Sequence, residues 1–398
     1  MAVRHGYGKI AGTDALVFAY DTGDTRNSYK GEPTTNLTTD TPSQNGWQGT
    51  YSVVDSNTKT FLITTQQNSA AVGSAWRTFY WSVSSYIGSY ITISADVEFV
   101  SETNCTFSSI TIGQGNTGPY PYHIAGSDSA DKVTISDKPV QKIHMTWSGV
   151  INSTGIVGFT QWIDNVTVNG ANAVLRLTNV QIEAKSHETP FVNGTRSATQ
   201  GLLDLTGNST IDISTVSFDS SAQKVFDGTS DYMSISAVGI SDYSQPFTME
   251  CIFMVDPTAT WDNGYRSNIF GNGSSYSGMY GLNKHGGDSV GLYVRDASGG
   301  SGCDIGGLSK GVYYHLVGTW DGTDDIRIYL NGSLGNTVTS AKSGARVTNI
   351  YIGGRRAFSG AYGEWYHGEI PVAKYYNRAL TAIEVRNNFN LYKGRFNM

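Results

Sequence analysis

Residues 90–99 read Tyr90-Ile91-Thr92-Ile93-Ser94-Ala95-Asp96-Val97-Glu98-Phe99, and their period is two. In an extended chain Ile91, Ile93, Ala95, Val97 and Phe99 fall on one side and Thr92, Ser94, Asp96 and Glu98 on the other. That is the pattern of a strand buried on one face. The alternation returns at Ile143, Met145 and Trp147, at Phe247, Met249, Cys251, Phe253 and Val255, and at Ile326, Ile328 and Leu330. Between such runs lie Asn45-Gly46, Asn169-Gly170, Asp227-Gly228, Asn263-Gly264, Asn272-Gly273, Asp321-Gly322 and Asn331-Gly332, dipeptides that accept the positive φ of tight turns. Short strands with this punctuation predict an all-β chain of antiparallel β-sandwich, jelly-roll domains. One short C-terminal helix is expected: Thr381 and Glu384 form a capping box, and Ile383, Val385 and Phe389 recur through Ala382–Leu391. It is expected to cover a sheet edge.

The composition narrows the function classes. A chain of 398 residues is long enough for two domains. Only 15% of residues are charged, and the formal net charge is −6, so a dense cationic face for nucleic acid is excluded. The 24 Tyr, 15 Phe and 8 Trp carry too much buriable surface for a disordered chain. Cys105, Cys251 and Cys303 have no close pair, which rules out a disulfide framework or zinc ribbon and predicts buried thiols. No stretch approaches a membrane span and residues 1–20 hold no signal-like apolar core, so a product of the cytoplasm without membrane insertion is expected. No tandem repeat or heptad pattern occurs.

From Lys224 onward the motifs resemble the laminin-G-like, concanavalin A-like jelly roll. The resemblance rests on Val225-Phe226-Asp227-Gly228-Thr229-Ser230-Asp231-Tyr232-Met233-Ser234-Ile235, the apolar strand Pro246 to Val255, and the pair Tyr314 to Gly322 and Ile326 to Gly332. It closes on Ile350-Tyr351-Ile352-Gly353-Gly354 and Tyr375-Tyr376-Asn377-Arg378-Ala379-Leu380-Thr381. Tyr90 to Phe99 and Leu175 to Phe191 resemble the core and last strands of galactose-binding-like, carbohydrate-binding-module-like jelly rolls. Gly194-Thr195-Arg196-Ser197 resembles the linker that follows such a domain in phage structural proteins.

Asp14 to Asp21 and Asn27 to Gly31 resemble the opening of phage laminin-G-like proteins, which there stands directly before a segment like Asp204-Leu205-Thr206-Gly207-Asn208. Here residues intervene. The expected organisation is therefore an N-terminal laminin-G-like segment (1–37), an inserted carbohydrate-binding-module-like jelly roll (38–196), and the main laminin-G-like part (197–398). Plain tandem order with an N-terminal arm is the alternative.

Catalytic devices are scarce. The sequence has no Gly-x-Ser-x-Gly elbow, no His-Glu-x-x-His helix and no Walker loop. Glu364 and Glu369 would serve as acid and base only if they faced each other across a cleft, and solvated surface charges are the alternative, so the chain is expected not to be an enzyme. Asp321, Asp324 and Asp325 sit at a hairpin tip, where turn geometry favours Asp. The family resemblance implies a structural Ca²⁺, although Gly368-Glu369-Ile370-Pro371 carries Pro where the related segment has Asp. No ligand set is assigned. His315 is expected to be a structural histidine.

Sugar recognition needs aromatic platforms with neutral polar partners. The candidates are Trp76, Arg77, Tyr80 and Trp81, the loop with Tyr120 and Tyr122, and the loop with Trp261, Tyr265 and Arg266. Each competes with inward packing in a sandwich core. The resemblances imply a bacteriophage virion structural or adhesion protein of a fibre, neck, baseplate or capsid surface. Its expected partners are other virion proteins, further copies of itself and host cell-surface polysaccharide, with display on the virion surface. A purely structural decoration or connector protein and a glycan-cleaving enzyme are the rivals. The cationic C-terminal tail, including Lys342, Lys374, Arg378, Arg386, Lys393 and Arg395, suggests docking on an acidic partner.

Overall fold

Phe247–Val255, one of the apolar alternations of the sequence, lies between Tyr313–Trp320 and His367–Tyr376, antiparallel to both, and is buried along nearly its whole length. The computed structural model describes residues 12–46, 49–67, 73–117, 124, 131–218, 224–235, 241–260, 267–272, 278–284, 287–345, 349–356 and 362–398. They form antiparallel sheets and one helix, and no described helix is long and apolar enough to cross a membrane.

The chain divides into two compact units, one of residues 1–33 with 197–398 and one of residues 34–196. In the larger unit an eight-stranded sheet opposes a seven-stranded one. Phe247, Met249 and Phe253 of the first and Phe270, Leu282 and Leu292 of the second meet in one buried core. The asparagine and glycine of Asn331-Gly332 both take positive φ (49° and 75°), closing the hairpin between Asp325–Leu330 and Ser333–Thr339 as a two-residue turn requires.

The N-terminal strand Leu16–Asp21 pairs with His367–Tyr376, so this strand is built into the larger unit. Asp204 of Asp204-Leu205-Thr206-Gly207-Asn208 secures it. This carboxylate accepts from Ala19 N at 2.9 Å and from the amides of Thr206, Asn208 and Ser209 at 3.0–3.1 Å, binding its own turn to the strand.

The smaller unit stacks two five-stranded sheets. The first has the order 143–150, 90–103, 171–183, 60–67, 49–55, and the second 43–46, 74–82, 156–164, 106–114, 132–135. Ile91, Ile93, Ala95 and Val97 face Phe79, Phe159, Ile110 and Ile112 in the core between them. This unit begins at Thr34, four residues before the expected boundary. Thr34 and Thr35 pair with Thr195 and Arg196, and the Asn36 side chain bonds Val180 O, Val192 O and Ile182 N, which ties 34–37 to this unit's last long strand.

The helix departs from expectation in place and length. It runs Ala382–Phe396 behind the Thr381/Glu384 capping box and ends at Asn397, whose left-handed conformation returns an N–H to Lys393 O. It does not cover an edge. Val385 packs with Val317, Tyr329 and Tyr376, and Tyr392 and Phe396 with Ile252 and Val372, on the outer face of the eight-stranded sheet. The cause is that the central strands carry Ile252, Val317 and Val372 on their outer face as well, and these also need cover.

Beneath the helix lies a buried polar network. Glu250 accepts from Lys374 at 2.7 Å, His315 at 3.1 Å, Tyr376 at 2.9 Å and Asn388 of the helix at 2.8 Å. His315 therefore has a structural part. The network and its neighbours also absorb much of the cationic tail: Lys374 is buried with Glu250, Arg378 bonds Glu384 (2.6 Å) and Asp14 (3.2 Å), and Arg395 bonds Asp21 (2.6 Å). Three of the six charges expected to meet an acidic partner are thus consumed inside the larger unit, while Arg386 and Lys393 are exposed. Of the thiols, Cys251 and Cys303 are buried and Cys105 is only partly so.

Candidate functional site

The sequence candidates Trp76, Arg77, Tyr80 and Trp81 share the strand Ser74–Ser82 but not one face, because successive side chains of a strand point to opposite sides. Trp81 faces inward. It is 5% exposed, lies edge-on to Phe61 (5.8 Å) and Phe159 (6.4 Å), and donates its indole N–H to Thr39 O at 3.0 Å. It is a core residue and no platform. Arg77 is inward too, at the margin of the sandwich, where it donates to Gln44 Oε1 (3.0 Å) and Gly46 O (3.2 Å) and burial lowers its pKa.

Trp76 and Tyr80 face outward and are half-buried. Across the sheet Trp76 is in register with Trp162, also half-buried, with ring centroids 6.0 Å apart and planes tilted by 39°. The next outward row runs Asn45, Thr78, Thr160, Thr111, Thr134 across all five strands. Thr78 and Thr160 share a hydrogen bond of 2.7 Å, and Thr111 and Thr134 one of 2.9 Å. Ile124 N donates to Thr160 Oγ1 at 3.2 Å, so residue 124 is anchored on this face. Beyond the row, Tyr80 stands beside Gly158.

Aromatic rings flank this row on either side, and because Thr78, Thr160 and Thr111 within it are buried, the ring faces are what fits the C–H surface of a pyranose. Tyr120, Tyr122, Trp261, Tyr265 and Arg266 lie outside the described residues. Trp162 escaped the sequence reading because Ile156–Asp164 mixes apolar and polar residues on both faces and shows no clean alternation. Only its pairing with Ser74–Ser82 sets it beside Trp76.

The larger unit carries a second aromatic group. Tyr232 lies 6.2 Å from Tyr351 and 6.0 Å from Trp365, all three half-buried. Tyr351 projects from the seven-stranded sheet away from the core, because its neighbours Ile350 and Ile352 point inward. In register beside it are Gly271, Gly281 and Tyr293.

The two residues weighed as an acid and base pair are tied to different sheets. Glu369 accepts from Tyr313 on the eight-stranded sheet, whereas Glu364 offers its carbonyl to Asn268 N of the seven-stranded one at 2.8 Å. Asp321 accepts from the amides of Thr323, Asp324 and Asp325 at 2.9–3.0 Å, the work of a hairpin tip. Asp227 likewise binds the amides of Thr229, Ser230 and Asp231. Among the described residues no three His, Cys, Asp or Glu side chains converge on a metal-sized point.

Residues 227–386 match the family model Laminin_G_3, the concanavalin A-like lectin/glucanases superfamily. With its opposed antiparallel sheets, the larger unit has the concanavalin A-like fold. Among solved structures the chain is similar to the receptor binding domain of botulinum neurotoxin D, at 11% identity and TM-score 0.40 over 50% of this chain and 51% of that one. It is similar to the botulinum neurotoxin serotype G binding domain, at 15% identity and TM-score 0.41 over 49% of each. A Trypanosoma rangeli sialidase in complex with 2,3-difluorosialic acid matches at 18% identity and TM-score 0.37 over 48% of this chain and 31% of the sialidase. The chain thus spans about half the length of the toxin domains it matches. No curated protein matches.

Proposed function

We propose that this chain is a glycan-contacting adhesion protein, displayed on a bacteriophage virion as a fibre, neck, baseplate or capsid-surface component, and that it acts by binding without catalysis. The observation that carries the glycan reading is the Trp76 and Trp162 pair, set outward across two strands beside a neutral hydroxyl row. Two half-buried indole rings side by side on a sheet face offer a surface on which the C–H face of a sugar stacks. The lectin-like family of the larger unit points the same way. The virion setting is supported by the resemblance of 14–31, 194–197 and 204–208 to phage structural segments. Weak contacts by single copies would add up on a particle that displays many.

The test is retention on immobilised bacterial surface polysaccharides. Trp76→Ala combined with Trp162→Ala should weaken retention at least about tenfold, the scale of two lost ring contacts, with the far-ultraviolet spectrum unchanged. Undiminished retention by the double variant would remove the site. A second reading, a decoration protein without glycan affinity, is favoured by one observation: Thr78 and Thr160, at the centre of the hydroxyl row, are fully buried. Wild-type protein that binds no polysaccharide of a broad panel would support it.

A further inference from the structure

On the outer face of the smaller unit's other sheet, the segment 184–192 follows the strand Ala171–Glu183 and lies back over it. Thr92 Oγ1 donates to Lys185 O at 2.9 Å, Thr189 N donates to Glu183 Oε1 at 2.8 Å, and Val192 N donates to Gln181 Oε1 at 2.8 Å. Beneath it the outward polar residues Thr92, Ser94, Gln181 and Glu183 are buried. Its outer fastening is His144 on Ile143–Val150. One ring nitrogen, Nδ1, lies 2.9 Å from Asp96 Oδ1 on the neighbouring strand, and the other, Nε2, lies 2.8 Å from Glu188 Oε2 on the segment.

A neutral imidazole has one N–H and one lone pair. Set between two carboxylates, it would turn that lone pair on an anionic oxygen. Only the imidazolium donates to both at these distances. We infer that His144 is a proton-operated latch, which holds the segment 184–192 on the sheet through Glu188 when protonated and releases it when the proton leaves.

The surroundings agree. Partial burial pulls the His144 pKa down, but hydrogen bonds to Asp96 and Glu188 and their charges outweigh it, leaving the group above its ordinary 6.5. The charged and polar groups facing the site are Asp96 from one side and Glu188 from the segment. Lys142, just before the strand of His144, lies 3.7 Å from Asp96 Oδ2, and Asn179 donates to that same oxygen at 3.3 Å. One pleat along, Glu98 is bonded by Arg176 at 2.8 Å. Lys142 and Asn179 hold Asp96 in place when the imidazole is neutral, so the contact that fails is the one to Glu188. Because the pKa is raised, the latch is fully closed below about 6.5, the ordinary value, and opens as pH rises through the folded-state value.

Opening matters because of what the segment guards. Thr189 also bonds Glu183 Oε2 through its hydroxyl (2.8 Å) and accepts from Arg196 (3.0 Å), while Thr34 bonds the same carboxylate oxygen at 2.9 Å. Thr34 and Arg196 are where the chain enters and leaves this unit. The latch therefore sets the local stability of both ends of the smaller unit.

Amide exchange of the full chain, corrected for the intrinsic pH dependence of exchange, tests this directly. Between pH 6 and pH 9 the protection of 184–192 should fall by at least about threefold relative to 106–114, the signature of local opening. In Glu188→Gln, whose amide serves a neutral or a charged ring, and in His144→Asn, that relative protection should lose its pH dependence. A His144 ring titrating at or below 6.5 by NMR would overturn the latch, as would the same pH slope in wild type and both variants.

Discussion

Glu250 in the larger unit and Glu183 in the smaller are both buried carboxylates with four hydrogen-bond donors, and they are stabilised in opposite ways. Glu250 meets an ammonium, an imidazole, a phenol and an amide, and these partners join two strands of the sheet to the C-terminal helix. Glu183 meets only neutral donors: Gln181 Nε2, Thr189 N and the hydroxyls of Thr34 and Thr189. The first is an ion pair enclosed under a helix, the second a neutral cradle that joins chain ends. A buried ion pair fails badly when one charge is removed, whereas hydroxyl donors can reverse their hydrogen bonds and adapt.

The largest break expected in this comparison is Glu250→Gln. It leaves the Lys374 ammonium buried without a counter-charge and should destabilise the larger unit by about 3–5 kcal/mol, read as a lower urea midpoint. Next comes Glu183→Ala, which strands the Thr189 amide and two hydroxyls and should cost about 1–3 kcal/mol. Glu183→Gln keeps an acceptor for the amides and lets both hydroxyls accept, so it should cost less than about 1 kcal/mol. Equal losses for the two Gln variants would show that the ion pair is no more demanding than the cradle.

The smallest effect is the pH response. The Glu250 carboxyl is under burial, which raises its pKa, but Lys374 and His315 more than reverse this and hold it well below its ordinary 4.5. Its contribution is full above that value and is lost as pH falls through the folded-state value, whereas the His144 contribution is lost as pH rises. Melting followed from pH 3 to pH 9 should show the larger unit weakening in acid and the smaller unit's ends weakening in alkali. Glu250→Gln should flatten only the acid limb.

Much of the local structure was legible in the sequence. Phe247–Val255 and the capping box at Thr381 are set by side-chain alternation and by a four-residue motif, both short-range. The candidate site was legible only by half. Trp76 and Trp81 look alike in sequence, and strand parity separates them once an inward neighbour such as Phe79 is known. Trp162 was hidden because its strand mixes apolar and polar residues on both faces and gives no clean alternation. The helix was found but assigned to an edge, since nothing local reveals that Ile252, Val317 and Val372 come together on the outer face of the eight-stranded sheet.

The amino-acid sequence by itself determined the strands, the turns, the helix start and a neutral, aromatic-rich character, because each follows from the period and chemistry of a few adjacent residues. Tertiary structure alone decided which residues act together. Cross-strand register paired Trp76 with Trp162 and His144 with Asp96, and the segment 184–192 lying back over the sheet brought Glu188 to His144. Glu250 met Lys374 and Asn388 only when a helix from the chain's end was laid over a sheet. Those encounters depend on the packing of segments tens to hundreds of residues apart, which no local pattern encodes.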